Sequence, residues 1–183
     1  MLLTVACAST TTKRAEILSD QAVVLDMPLV EQDELYECGL VSVSALCDYW
    51  HLPLEVAERE RLAELARTQE GLSGGELCAA LERAGCETYL FQGTLDRAPT
   101  GLLHHVDAGR PLLVMISPET DKHHYVLFLG YDELQRNVIV LDPVRGRVIQ
   151  PYESFQRSWS ECERFTLLAM PASPNAVAQG VDS

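Results

Sequence analysis

Cys38 is the residue at which this sequence is best placed to do covalent chemistry. It follows the polar stretch Gln32-Asp33-Glu34-Leu35-Tyr36-Glu37, precedes Gly39 and opens an apolar run that ends at Trp50, so it falls at the mouth of a helix. First-turn N–H groups have no intrahelical acceptor, and the helix dipole places its positive end beside them. A cysteine there is biased toward thiolate, the nucleophilic form. Gly39, without a side chain, would let a substrate carbonyl approach the backbone. Gln32, six residues before Cys38, can swing its amide toward the oxygen of a carbonyl under attack and share an oxyanion hole with the Cys38 N–H.

A nucleophile of this kind needs a base, and the base needs an orienting acceptor. Two apolar runs late in the chain supply both residue types. His123-His124-Tyr125-Val126-Leu127-Phe128-Leu129-Gly130 reads as a strand with histidine at its mouth, and Val138-Ile139-Val140-Leu141-Asp142-Pro143 as a second strand ending in aspartate. Taken singly, each residue has an ordinary explanation. Free cysteines are commonly small buried hydrophobes, a histidine on an apolar strand is commonly packed in a core, and Asp-Pro commonly starts a turn. Taken in order, Cys, His and Asp form a nucleophile, a general base and an acceptor, the logic of papain-like thiol hydrolases.

The same order resembles the C39 peptidases, the bacteriocin-processing cysteine peptidases that cut after a double glycine. The resemblance rests on Gln-x5-Cys-Gly, on His-Tyr-Val-x3-Gly, on the strand closing at Asp142-Pro143, and on Pro151-Tyr152-Glu153-Ser154-Phe155 with Trp159; it runs from about residue 27 to residue 170. It implies Cys38 as nucleophile, His124 as base and acid, Asp142 as its orienter and Gln32 as oxyanion donor. His124 is preferred to His123 because it stands six residues before Gly130, the family's spacing. The implied fold is α+β and papain-like, a helical lobe carrying the nucleophile packed on an antiparallel sheet carrying His and Asp. The implied activity is cleavage of a peptide or leader sequence after a Gly-Gly type site, without cofactor or metal. Two other readings stay open: an idle domain that binds a leader peptide or secretion substrate for a transporter, and a thiol acyltransferase.

Composition narrows the partners. A net charge of −13 argues against a nucleic-acid surface, which needs clustered Lys and Arg. No stretch reaches the roughly 18 consecutive apolar residues of a spanning helix. The six cysteines, at 7, 38, 47, 78, 86 and 162, show neither a CxxC pair nor a dense disulfide framework. Cys47 and Cys78 read as core, and Cys86, Cys162, His104 and His105 lack metal-ligand spacing. The only lysines, Lys13 and Lys122, stand in no glycine-rich phosphate loop, so the chain is expected to work as a stand-alone peptidase without nucleotide. Export energy would then come from a separate ABC-type exporter.

Residues 1–26 read as a signal-like tether, 27–170 as the peptidase domain and 171–183 as a disordered tail. In the tether, Met1-Leu2-Leu3-Thr4-Val5-Ala6-Cys7 is like the end of a bacterial lipoprotein signal but lacks a basic start and a full apolar core. Cys7 is therefore either a lipid attachment point, which would hold the protein on a membrane facing the periplasm, or an ordinary residue of a frayed terminus. The elements between follow from pattern. They are an extended lead-in before Pro28, the Cys38 helix stopped by His51-Leu52-Pro53, and a charged surface helix over 54–68. Next come a helix opened by the capping box Ser73-Gly74-Gly75-Glu76 and closed by Gly85, and a strand over 88–91. A short helix over 100–108 and strands over 112–116 and 165–168, with the His124 and Asp142 strands between, complete the set.

Overall fold

The computed structural model describes residues 18–28, 36–117 and 123–173; Cys7, Gln32 and the chain beyond 173 lie outside the described residues. The elements run β1 (Val23–Val24), α1 (Cys38–Tyr49), α2 (Val56–Gln69), α3 (Gly74–Arg83), β2 (Cys86–Gln92), α4 (Leu102–Asp107), β3 (Leu112–Ile116), β4 (His124–Asp132), β5 (Asn137–Asp142), β6 (Gly146–Pro151), α5 (Tyr152–Ser160) and β7 (Phe165–Pro171). The strands form one antiparallel sheet in the order β2-β7-β3-β4-β5-β6, and β1 pairs with β4 beyond the end of β3. Among the described residues no helix is long and apolar enough to cross a membrane.

Each face of the sheet carries its own core. Leu113, Leu127, Leu129, Leu141 and Leu167 point to one side and pack with α1, α2 and α3. Val114, Val126, Phe128, Val140 and Leu168 point to the other and pack with α4 and α5. The period-two alternation of a strand produces this division. Helix α1 is buried on several sides, with Val43, Ala45, Leu46 and Cys47 fully enclosed, and its small residues let the sheet and the other helices close on it. Its far end is pinned where the Trp50 indole donates to the Ala169 carbonyl (3.0 Å) and the Tyr49 hydroxyl to the Gly109 carbonyl (2.9 Å). That fixes the direction of α1, and so the place where its N-terminus meets the sheet.

The capping box at Ser73 forms as the sequence implies: Glu76 N–H donates to the Ser73 hydroxyl and Ser73 N–H to the Glu76 carboxylate. On α2 the charged face is not wholly solvated. Glu58 is only partly exposed and accepts from Arg61 on its own helix (2.8 Å) and from Arg83 of α3 (2.6 Å), tying the two helices together. Two further elements, β6 and α5, have no counterpart among the elements that pattern predicts. β6 is a polar sheet edge with little alternation in hydropathy, and α5 is an amphipathic helix with Tyr152, Phe155 and Trp159 inward. The end of the domain also shifts. Pro171, assigned above to a disordered tail, pairs with Cys86, and Ala172 N–H donates to the Gly85 carbonyl (2.9 Å). The Cys86–Pro171 pair is therefore a non-hydrogen-bonded one, and the N–H that proline lacks would face the side where β3 has ended.

Gly130 has a steric reason. A bulge at Leu129 shifts the register between β4 and β5, and β1 crosses Gly130 so closely that a Cβ would lie 2.3 Å from the Val23 carbonyl oxygen. Just beyond, buried Asp132 accepts from the Ser19 N–H (2.7 Å) and hydroxyl (2.9 Å), so β1 is held on both sides of the crossing. Gly130→Ala is expected to dislodge β1 and cost about 1–3 kcal/mol, in the range for overpacking. Chemical denaturation checks this; an unchanged midpoint would show that β1 yields without cost.

Candidate active site

The N-terminus of α1 meets the sheet where β4 begins and β5 ends. Cys38 is the first residue of the helix, and the segment before it bends sharply, with Tyr36 at φ +71° and Glu37 at φ −87°, ψ 1°. Glu37, its N-cap residue, makes no side-chain capping bond. First-turn N–H groups, which have no intrahelical acceptor, lie beside the cysteine.

Cys38, half-buried, lies beside the His124 side chain, the Tyr125 backbone N–H and the Gly39 N–H, each of which favours its thiolate. Consecutive residues of β4 thus serve it in two ways, one through its ring and the next through its main chain. His124 Nε2 in turn lies 2.9 Å from Asp142 Oδ1, which leaves Nδ1 as the ring nitrogen for Cys38. Asp142 is buried, and its carboxylate is fully engaged. Oδ1 also accepts from the Val144 N–H (2.9 Å), and Oδ2 accepts from Arg145 Nε (2.7 Å). The structure therefore brings Cys38, His124 and Asp142 together in one row. His123 stands outside it, exposed and before the first residue of β4.

The protonation states follow from these contacts. Burial pushes the Cys38 thiol up, but the His124 hydrogen bond, the Tyr125 N–H, the His124 charge and the Gly39 N–H together bring it below the ordinary thiol value. Burial pulls His124 down, and its bonds to Asp142 and Cys38 outweigh that and raise it to about 9. For Asp142, burial is outweighed by His124, the Val144 N–H and Arg145, and the carboxyl stays well below its usual range. These shifts favour a thiolate beside an imidazolium backed by a carboxylate. The other described cysteines go the opposite way: burial drives Cys47 to about 12 and Cys86 to about 11, and it also raises Cys78 and Cys162.

One expectation is corrected. Gly39 does not open the backbone to a ligand. It is buried against the core, and a Cβ there would meet Leu77 Cδ2 at 3.1 Å and Leu72 and Tyr125 at 3.4 Å. Its smallness admits α3 and β4 to the start of α1. Two participants had no sequence reading at all, the Tyr125 N–H and Arg145. A main-chain donor leaves no residue signature. Arg145, three residues after Asp142 across the β5–β6 turn, is a pairing that Asp-Pro-x-Arg hints at only once the turn is known.

Comparison with known proteins agrees with this architecture. The model of the peptidase C39 family matches residues 26–173. Among solved structures, the peptidase domain of Streptococcus ComA, a bifunctional ABC transporter of a quorum-sensing pathway, is 19% identical, with a TM-score of 0.64 over 79% of this chain and 98% of that one. A C39-like peptidase from Bacillus anthracis is 17% identical, with a TM-score of 0.64 over 84% of this chain and 100% of that one. A double-glycine-motif protease from an AMS/PCAT transporter, crystallised with its leader peptide, is 19% identical, with a TM-score of 0.59 over 81% and 94%. These likenesses establish the papain-like α+β fold. A search of curated proteins gave no match.

Proposed function

From the premise that the chain belongs to the peptidase C39 family, we propose that it is a cysteine endopeptidase that cleaves a peptide or leader sequence after a Gly-Gly type site. The observation that carries this reading is the row Cys38–His124–Asp142 at the N-terminus of α1. In the proposed mechanism the Cys38 thiolate attacks the scissile carbonyl carbon, and negative charge develops on its oxygen. The Cys38 N–H and the Gln32 side chain donate to that oxygen. His124, protonated in the resting ion pair, passes its proton to the departing amine as the C–N bond breaks and the acyl-thioester forms. It then takes a proton from water, whose oxygen attacks the thioester; collapse releases the acid and regenerates the thiolate. Asp142 keeps the imidazole oriented and stabilises its charged form.

In this proposal the peptidase domain extends beyond 27–170 to take in β1 and the whole of β7, and the substrate is a leader-bearing peptide presented by a separate exporter. The test is cleavage of synthetic peptides containing Gly-Gly by the purified chain, followed across pH. Activity is expected to rise as Cys38 loses its proton and to fall as pH passes about 9, where His124 gives up the proton it must deliver. Iodoacetamide at pH 6 should label Cys38 ahead of every other described cysteine, since only its thiol is shifted down. Selective labelling without cleavage of any peptide would point to the idle, peptide-binding domain instead.

A further inference from the structure

Behind the site, on the α5 face of the sheet, lies a polar cavity of about 330 Å³. It adjoins the row directly. Ile116, on its wall, is the register partner of His124, and Arg145, on another, holds Asp142 through Nε. Helix α5 and its C-cap residue contribute a stripe at helical spacing, Ser154, Arg157, Ser158 and then Glu161, next to the apolar stripe of Phe155 and Trp159 that seats the helix on the core.

Among the described residues, the charge-assisted donors here exceed the acceptors offered to them. Arg145 spends Nε on Asp142, and among the described residues its two Nη groups meet no acceptor of the chain. Arg157 pairs with no carboxylate among the described residues. Gln150 also lines the cavity, but its Nε2 is itself sealed from solvent. The carboxylates beside these two guanidinium groups are Glu161 and, already bound by Arg145 Nε, Asp142. Charge-assisted donors left without an acceptor among the described residues suit an acceptor anion.

We infer that this cavity is a subsite for a carboxylate carried by the leaving half of the peptide substrate. The inference rests on the proposed peptidase activity for its direction. The acyl half stays on Cys38 at the end of α1, whereas His124 hands its proton to the amine half. The cavity lies past His124 and Asp142, on the face of the sheet opposite α1, and therefore on the amine side. A carboxylate held by Arg157 and the Arg145 Nη groups would anchor the leaving half while the scissile bond sits against Cys38. It would leave the Arg145 Nε bond to Asp142 in place.

The experiment compares three peptides with the same Gly-Gly segment. One carries Glu downstream of the cut and an amidated C-terminus, one carries Gln there with the same amide, and one carries Gln with a free terminal carboxylate. A peptide carrying a carboxylate should exceed the Gln-amide peptide about 10-fold in kcat/KM, the effect of one charge-assisted contact. Whichever carboxylate gives the preference, side-chain or terminal, identifies the source. Arg157→Gln should bring the ratio close to one, Arg157→Lys should keep part of it, and Glu161→Gln should increase it by removing the opposing charge. Calorimetry of the three leaving-half peptides on the Cys38→Ala chain reads the subsite without turnover. If none of the peptides is cleaved but the carboxylate-bearing halves bind preferentially, the peptidase reading fails and the subsite stands. Equal kcat/KM and equal binding for all three overturn the inference.

Discussion

Cys38→Ala is expected to leave a folded chain with no measurable cleavage, a loss on the order of 10⁵-fold or more. The fold should survive because the change removes one atom from a half-buried position at the first turn, while the helix stays anchored by Trp50, Tyr49 and its enclosed core residues. The chemistry should not survive. No other described cysteine is both near His124 and shifted toward thiolate. The variant should also change His124 in a way that a structural role for Cys38 would not. Without the thiolate, the ring keeps Asp142 but loses the second group that raises it, so its titration should move down from about 9. Proton NMR of the imidazole in the wild-type and variant chains reads that shift. Cleavage near the wild-type rate would remove Cys38 from the nucleophile's place.

The same geometry explains which parts of the site the residues alone could convey. Cys38 at a helix mouth and His124 and Asp142 at strand ends were legible because each lies where a hydropathy pattern changes, and such boundaries are set by local sequence. The choice between His123 and His124 needed the distance to Gly130, and that distance has a physical basis: β1 crosses β4 at Gly130 and admits no Cβ. What was not legible depends on contacts between distant segments. The reason for Gly39 lies in Leu72 and Leu77, more than thirty residues away. The floor behind the dyad is made by β6 and α5. β6 carries no strong alternation because it is an edge strand with one neighbour, and α5 begins at Tyr152 with a proline before it and no side-chain cap. Arg145 reached Asp142 only through the turn that joins β5 to β6.

His124→Ala is expected to lose about 10⁴-fold or more in kcat/KM, whereas His123→Ala keeps most of the activity. Two losses combine in the first variant. The departing amine has no acid to protonate it, and Cys38 loses the hydrogen bond and the charge that offset its burial. The Tyr125 and Gly39 N–H groups remain, but burial is the largest influence on this thiol, and without the imidazolium it should win. The thiol should therefore move up, and iodoacetamide labelling of Cys38 at pH 6 should vanish together with cleavage. Asp142 keeps the Val144 N–H and Arg145, so its carboxylate is not left bare and the sheet end should hold. His123 shares none of these bonds and lies exposed before the first paired residue of β4. Because neighbouring strand residues point to opposite faces, the two histidines cannot exchange roles without moving β4 one residue against Ile116 and Leu141. A chain that tolerates the loss of His124 and fails without His123 would require that shifted register, and with it a different partner for Asp142.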